Sequence, residues 1–499
     1  MSASEKTTLK VSAIRSRALS GIKALTLRTL ASQALRVVSS LCLARLLFPK
    51  DFGVFAVAGY LSGFGMFLGD VGLSGALVRQ HEEPKDDELF TVFVCQQALT
   101  GLIVALLIVA SPFLVHLYGL SSDAALLLSA MAVSLFLNSL RLVPMLVLER
   151  ELRFTTIACC ELIENVALTA GTIGLAFLHT GAWAFVGGIL LRGGVGLACI
   201  WAASPYRPRG RFRFSIVRQL VGFGSAFQLN ALMPTLVAGW MPLVVGRILG
   251  TVSVGFVGWA TNLASTPLML SAVLNRVAFP AYSRLHADSE AFGNALIASV
   301  RRLSAVFWLL VPIGVLVCPV VIPALFGPRW NPAIGLVQWF GLQSVLLTLT
   351  GLLASAQNAS GRAAERLGVT IGVGAAQWTL GFLAVAKIGL AAIGPLLCAI
   401  SLAELLVTTL LVQRRNPGCQ ALFREIFGPL TATTLLLAVS IGVGRAAGHG
   451  RVLSGTVCSL LLFIALAAVR EMLPGGSRTA GEMRAVVAML RLRHQEGEA

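Results

Sequence analysis

Apolar residues run in blocks of about twenty along nearly the whole chain, and short polar segments interrupt them at regular intervals. A helical block of this length covers a hydrocarbon core of about 30 Å. The pattern predicts fourteen spans, at 24–47, 53–79, 88–111, 124–148, 155–178, 182–203, 219–247, 252–275, 294–325, 331–356, 366–386, 389–412, 425–445 and 452–470. The ninth is long enough to tilt or to end in an interfacial turn around Pro319 and Pro323. The fold class expected is an all-α integral membrane protein with about 14 transmembrane helices and little mass outside the bilayer.

A formal charge of +17 would suggest nucleic acid in a soluble protein. Here the placement of the charge explains it better. With the N-terminus inside, 27 of the 39 Lys and Arg fall on the inner side. Only seven fall outside: Arg45, Lys50, Arg247, Arg329, Lys387, Arg445 and Arg451. This bias places both termini in the cytoplasm of a multi-pass inner-membrane protein, and no nucleic-acid partner is expected. Residues 1–23 form a basic tail that leads into a full span, not a cleavable signal. Residues 471–499 hold the segment 483–491, which reads as a basic amphipathic helix on the inner leaflet. Eight of the nine cysteines lie in spans, and no exposed outer loop holds a pair for a disulfide. Gly222-Phe223-Gly224 and Gly372-Val373-Gly374 lack the strand context of a nucleotide loop. The six histidines have no metal-ligand spacing. No catalytic residue, metal or cofactor is therefore expected.

The chain repeats itself. Ala44-Arg45-Leu46-Leu47, followed by Gly53 and Phe55, matches Gly246-Arg247-Ile248-Leu249, followed by Gly255 and Val257, at an offset of 202. Gly181 and Ala184 echo Gly389 and Ala392 at an offset of 208. The repeat lays spans 1–6 over spans 7–12 in parallel, which implies two lobes about an axis along the membrane normal with a substrate site between them. The expected organisation is an N-lobe at 24–203, a basic linker at 204–218, a C-lobe at 219–413, and spans 13 and 14 within 414–470.

Several spans carry ionisable side chains that cost about 2.5–3.5 kcal/mol each at the bilayer centre. Span 1 holds Arg28 and Arg36, about 12 Å apart along the axis and some 80° apart around it. Arg141 and Arg192 sit in spans 4 and 6, Arg276 closes span 8, Asp70 lies in span 2 and Glu404 in span 12. Span 5 presents Glu161 and Glu164 at i and i+3, with Asn165 beside them. These carboxylates read either as proton sites or as partners for Arg141 or Arg192. The inventory leans cationic, as a cavity would if it received an anionic head group such as a pyrophosphate.

Residues 44–58 (ARLLFPKDFGVFAVA), 67–80 (FLGDVGLSGALVRQ) and 279–285 (FPAYSRL) resemble bacterial polysaccharide exporters. These are the Wzx-type flippases, in the branch that includes colanic-acid and succinoglycan transport proteins, within the multidrug/oligosaccharidyl-lipid/polysaccharide exporter superfamily. The resemblance implies two six-helix lobes plus two additional C-terminal helices. It implies alternating access that carries an undecaprenyl-pyrophosphate-linked oligosaccharide from the inner to the outer leaflet, and polysaccharide polymerase or co-polymerase partners. Cavity arginines on the first and eighth spans of such flippases would here be Arg28, Arg36 and Arg276. Asp70, Glu161 and Glu164 are the ion-coupling candidates. A lipid II or multidrug exporter is the alternative within transport. A membrane-embedded polysaccharide polymerase or ligase would usually need a large outer loop, whereas the longest here is 112–123.

Overall fold

The structure, a computed structural model, describes residues 28–29, 31–69, 85–120, 123–217, 232–265, 278–279, 281–286, 288–447 and 452–472. Asp70, Arg276 and the expected amphipathic tail segment 483–491 lie outside the described residues. All regular structure among the described residues is helical. In chain order the helices are α1 (31–46), α2 (Pro49–Gly69), α3 (Asp86–Leu117), α4 (Asp123–Ser139), α5 (Leu142–Arg150), α6 (Phe154–Phe177) and α7 (Trp183–Ala203). They continue as α8 (Leu232–Ala264), α9 (Ser289–Phe326), α10 (Ile334–Ala359), α11 (Ala363–Lys387), α12 (Ile393–Arg415), α13 (Leu422–Ala447) and α14 (Val452–Met472). Among the described residues nine helical stretches are long and apolar enough to cross a membrane, with shorter apolar helices at Leu310–Phe326 and Ser454–Ala465. The chain is a multi-pass membrane protein.

Its surface agrees. Leu102, Leu106, Val109 and Phe113 climb one side of α3 at helical spacing, and all four are exposed. Such a stripe on a soluble protein would drive association, whereas acyl chains solvate it. Inside the spans, hydroxyls such as those of Ser344, Thr348 and Thr350 donate to carbonyls three or four residues back. That satisfies them without water.

The chain divides into two compact units, Met1–Gly255 and Phe256–Ala499. In the first, α6 packs along α7, α3 along α4, and α4 also meets α7. In the second, α9 is the central helix and touches α10, α13 and α14, while α12 lies between α10 and α11. Helix α9 runs without interruption through Pro319 and Pro323 to Phe326, so the ninth span ends beyond the interfacial turn expected there. Its N-terminus is fixed by Asp288, whose carboxylate accepts from the Glu290 and Ala291 amides at 3.0 Å.

The sequence repeat is visible in the backbone. Helix α1 stops at residue 46, and α2 restarts with Pro49 at its first position, a residue with no amide to satisfy there. In the second copy α8 breaks at Gly250, whose φ of 79° and ψ of 172° are essentially restricted to glycine. The chain folds back there: Gly246 lies against Val254, which a straight helix would hold about 12 Å away. The two copies also meet. A side chain on Gly53 would fall on the Thr251 carbonyl, and one on Gly255 would fall on the Pro49 carbonyl. Residues 49 and 251, and 53 and 255, are each 202 apart, so this crossing of backbones is reciprocal. Only hydrogen at both positions permits it.

Gly53→Ala or Gly255→Ala is therefore expected to lower stability by about 1–3 kcal/mol through overpacking. Gly63 has nothing within 4 Å of an added methyl, and Gly63→Ala should be neutral. Thermal unfolding of the three purified variants in detergent checks this. Equal midpoints would contradict the crossing.

Candidate functional site

Glycines set the separation of α6 and α7. A methyl on Gly171 would come within 2.9 Å of Leu191 and 3.3 Å of the Gly188 Cα. One on Gly188 would come within 3.0 Å of the Leu168 carbonyl. One on Gly196 would lie 2.6 Å from the Glu164 carboxyl carbon and 2.7 Å from Arg141 Nη1. The empty face of Gly196 is thus the space that Glu164 fills.

Glu164 is wholly buried. Its Oε1 lies 2.6 Å from Arg141 Nη2, and its Oε2 lies 3.6 Å from Arg192 Nε. Arg141 reaches it because α4 ends at Ser139 and α5 begins at Leu142; the break sets the guanidinium facing α6. Arg192 projects from α7 and is partly exposed. One turn earlier on α6, Glu161 receives a hydrogen bond and an ion pair from Arg28. Asn165 donates to Ser32 Oγ at 3.1 Å and to the Glu161 carbonyl at 2.8 Å, so a second polar contact ties α1 to α6. Arg28 Nε is buried without a hydrogen-bond partner among the described residues.

The structure therefore brings Arg28 and Glu161 together and gives Glu164 to Arg141 and Arg192. The two carboxylates, expected on one face, serve different partners. Arg36 is exposed and has no ion pair or hydrogen bond among the described residues. It does not join Arg28, which lies two turns away. Gly196 was not distinguishable in sequence from its neighbours in Gly193-Gly194-Val195-Gly196, because its role depends on which way it faces. In the second unit, Arg366 Nη2 at the start of α11 lies 2.8 Å from Glu404 Oε1 on α12, Arg415 pairs with Glu365 at 3.2 Å, and Arg301 grips both oxygens of Glu425. No group of three or more His, Cys, Asp or Glu among the described residues could hold a metal.

The profile of the polysaccharide biosynthesis protein family matches residues 42–335. The succinoglycan biosynthesis transport protein ExoT of Rhizobium meliloti is 30% identical over 322 residues, 63% of either chain. The teichuronic acid biosynthesis protein TuaB of Bacillus subtilis is 23% identical over 468 residues, covering 90% of this chain and 96% of its own. The lipopolysaccharide biosynthesis protein WzxC of Escherichia coli is 26% identical over 357 residues, 70% of each chain. Among solved structures, the lipid II flippase MurJ in an inward closed conformation superposes with a TM-score of 0.71 at 13% identity, over 90% of this chain and 98% of its own. An inward-facing multidrug resistance MATE family transporter of the MOP superfamily gives a TM-score of 0.58 at 17% identity, over 79% of this chain and 95% of its own. At these identities the likeness establishes the fold.

Glu164→Gln leaves the Arg141 guanidinium buried with its counter-charge removed, an arrangement expected to cost about 3–5 kcal/mol. Adding Arg141→Gln to the same chain is expected to recover much of that loss. A double-mutant cycle on thermal unfolding reads the coupling. Strictly additive losses would mean that the two groups do not act as a pair.

Proposed function

The chain belongs to the polysaccharide biosynthesis protein family, and from that premise we propose that it is a flippase for lipid-linked oligosaccharides. Its cargo is an undecaprenyl-pyrophosphate-linked repeat unit, moved from the inner to the outer leaflet of the bacterial cytoplasmic membrane by alternating access. The observation that carries this reading is the family match to polysaccharide transport and biosynthesis proteins on a transporter fold shared with a lipid flippase. The positive-inside bias favours both termini in the cytoplasm and fourteen crossings, with spans 13 and 14 beside the two repeated lobes. No step of this cycle breaks or makes a covalent bond, so the protein acts without catalytic residues. A polymerase or co-polymerase would receive the unit at the outer face.

Arg36 is the residue of α1 best fitted to the pyrophosphate, because its charge is exposed and uncommitted among the described residues. Arg28 is held by Glu161. A phosphate oxygen can take Arg28 once Glu161 gains a proton or another cation, which makes Glu161 the coupling group nearest the cargo. Arg276 keeps the headgroup-binding role that the resemblance implies, and Asp70 remains an ion-coupling candidate. Glu164 serves as a structural counter-ion for Arg141 and Arg192.

In a strain that lacks its exopolysaccharide flippase, the wild-type chain should restore polymer. Arg36→Ala, at equal protein level, should restore less than a tenth of it, with lipid-linked repeat units accumulating on the inner leaflet. Normal export by Arg36→Ala would remove Arg36 from the site. No restoration by the wild type, with repeat units absent altogether, would indicate a biosynthetic step instead.

A further inference from the structure

The basic linker is an ordered strap. After α7, residues 204–213 run without helix and bond to α5 and to the start of α3. Ser204 Oγ donates to the Pro144 carbonyl of α5 at 3.0 Å. Gly210, at φ 145°, passes so close to α3 that a methyl on it would lie 2.7 Å from the Asp86 carbonyl. The Arg211 amide donates to Asp87 Oδ1 at 2.8 Å, the Arg213 amide to Thr91 Oγ1 at 3.1 Å, and the Arg213 guanidinium lies 2.6 Å from Asp87 Oδ2. These bonds hold the strap against α5 and the first turns of α3.

The strap displays exposed arginines and aromatic rings. Arg209 and Arg211 are exposed and form no ion pair among the described residues, and the nearby Asp87 is already engaged by Arg213. Phe212 and Phe214 are 49% and 73% exposed. An aromatic edge beside exposed guanidiniums fits a layer that is anionic at its surface and apolar just beneath. Arg209 and Arg211 would meet lipid phosphates while the two rings sink below them.

We propose that residues 207–214 form a docking surface for anionic phospholipid headgroups of the inner leaflet, with Arg209 and Arg211 as the phosphate contacts and Phe212 and Phe214 as the anchors. Two guanidiniums at an anionic surface correspond to about a thirtyfold preference over a neutral one.

Trypsin cleaves after Arg209 and Arg211 only when the strap is free. The full chain is reconstituted in nanodiscs of phosphatidylcholine alone or mixed with phosphatidylglycerol, and the cut within the strap is timed. Cleavage about thirtyfold slower with phosphatidylglycerol, and largely restored by high salt, is expected. Nanodiscs expose both faces, so this outcome does not depend on the orientation or the transport activity proposed above. Native mass spectrometry of Arg209→Gln/Arg211→Gln should show phosphatidylglycerol lost relative to wild type. Equal cleavage rates in the two lipids would overturn the proposal. So would protection in phosphatidylcholine by added inorganic pyrophosphate without protection by phosphatidylglycerol, which would assign the strap to the cargo headgroup.

Discussion

A carboxylate that is wholly buried in a membrane protein must be given cations, and much of the first unit is arranged to do so. Glu164 has Arg141 at 2.6 Å and Arg192 at 3.6 Å. Removing either charge alone would leave its partner in a medium that solvates ions poorly. The break between α4 and α5 and the missing side chain at Gly196 both follow from this requirement. One turns Arg141 inward, and the other lets α7 close over the ion pair instead of being held away by it. The close packing of α6 and α7 through Gly171 and Gly188 then carries the same separation along the rest of the pair.

A second constraint is the internal repeat, which is kept where backbones touch and relaxed where charges sit. Gly53 and Gly255 accept each other's copy with the same geometry, and the breaks at residues 47–48 and at Gly250 fall at equivalent positions. The fifth and sixth spans of each half also share a buried or half-buried ion pair, but with the signs exchanged. In the first half the carboxylate is on the earlier helix, Glu164 to Arg192; in the second it is on the later one, Arg366 to Glu404. An ion pair stabilises a helix contact in either polarity, so the pairing can persist while its direction changes. The glycine crossing has no such freedom, because no other side chain is small enough.

The hydrophobic pattern made the helices and their order legible, and the 202-residue offset marked the two glycines before any contact was visible. The alternatives for Glu164 were also legible, since a buried acid between two arginine-bearing spans has few partners. What could not be read was helix rotation. Glu161 and Glu164 lie about 60° apart around α6, and that offset is enough to give one to Arg28 and the other to Arg141 and Arg192. The extended strap was legible only as a run of arginines. Its bonds to Asp87 and Thr91 join segments more than a hundred residues apart, and local pattern carries no information about such a meeting.

The pairing pattern also decides which positive charges remain available to an anion. Arg141 and Arg213 are spent on carboxylates that hold the fold together, and withdrawing them would cost structure. Arg28 is different, because Glu161 is only partly buried and its arginine keeps one nitrogen without a hydrogen-bond partner among the described residues. An anion that approached Arg28 would compete with Glu161 for it. Arg36 carries no such competitor among the described residues. Arg28 and Arg36 therefore differ in kind. Arg28 is committed to a carboxylate, whereas Arg36 stands exposed with no ion pair among the described residues. Any anion meeting the two would therefore displace a counter-ion at the first and none at the second among the described residues.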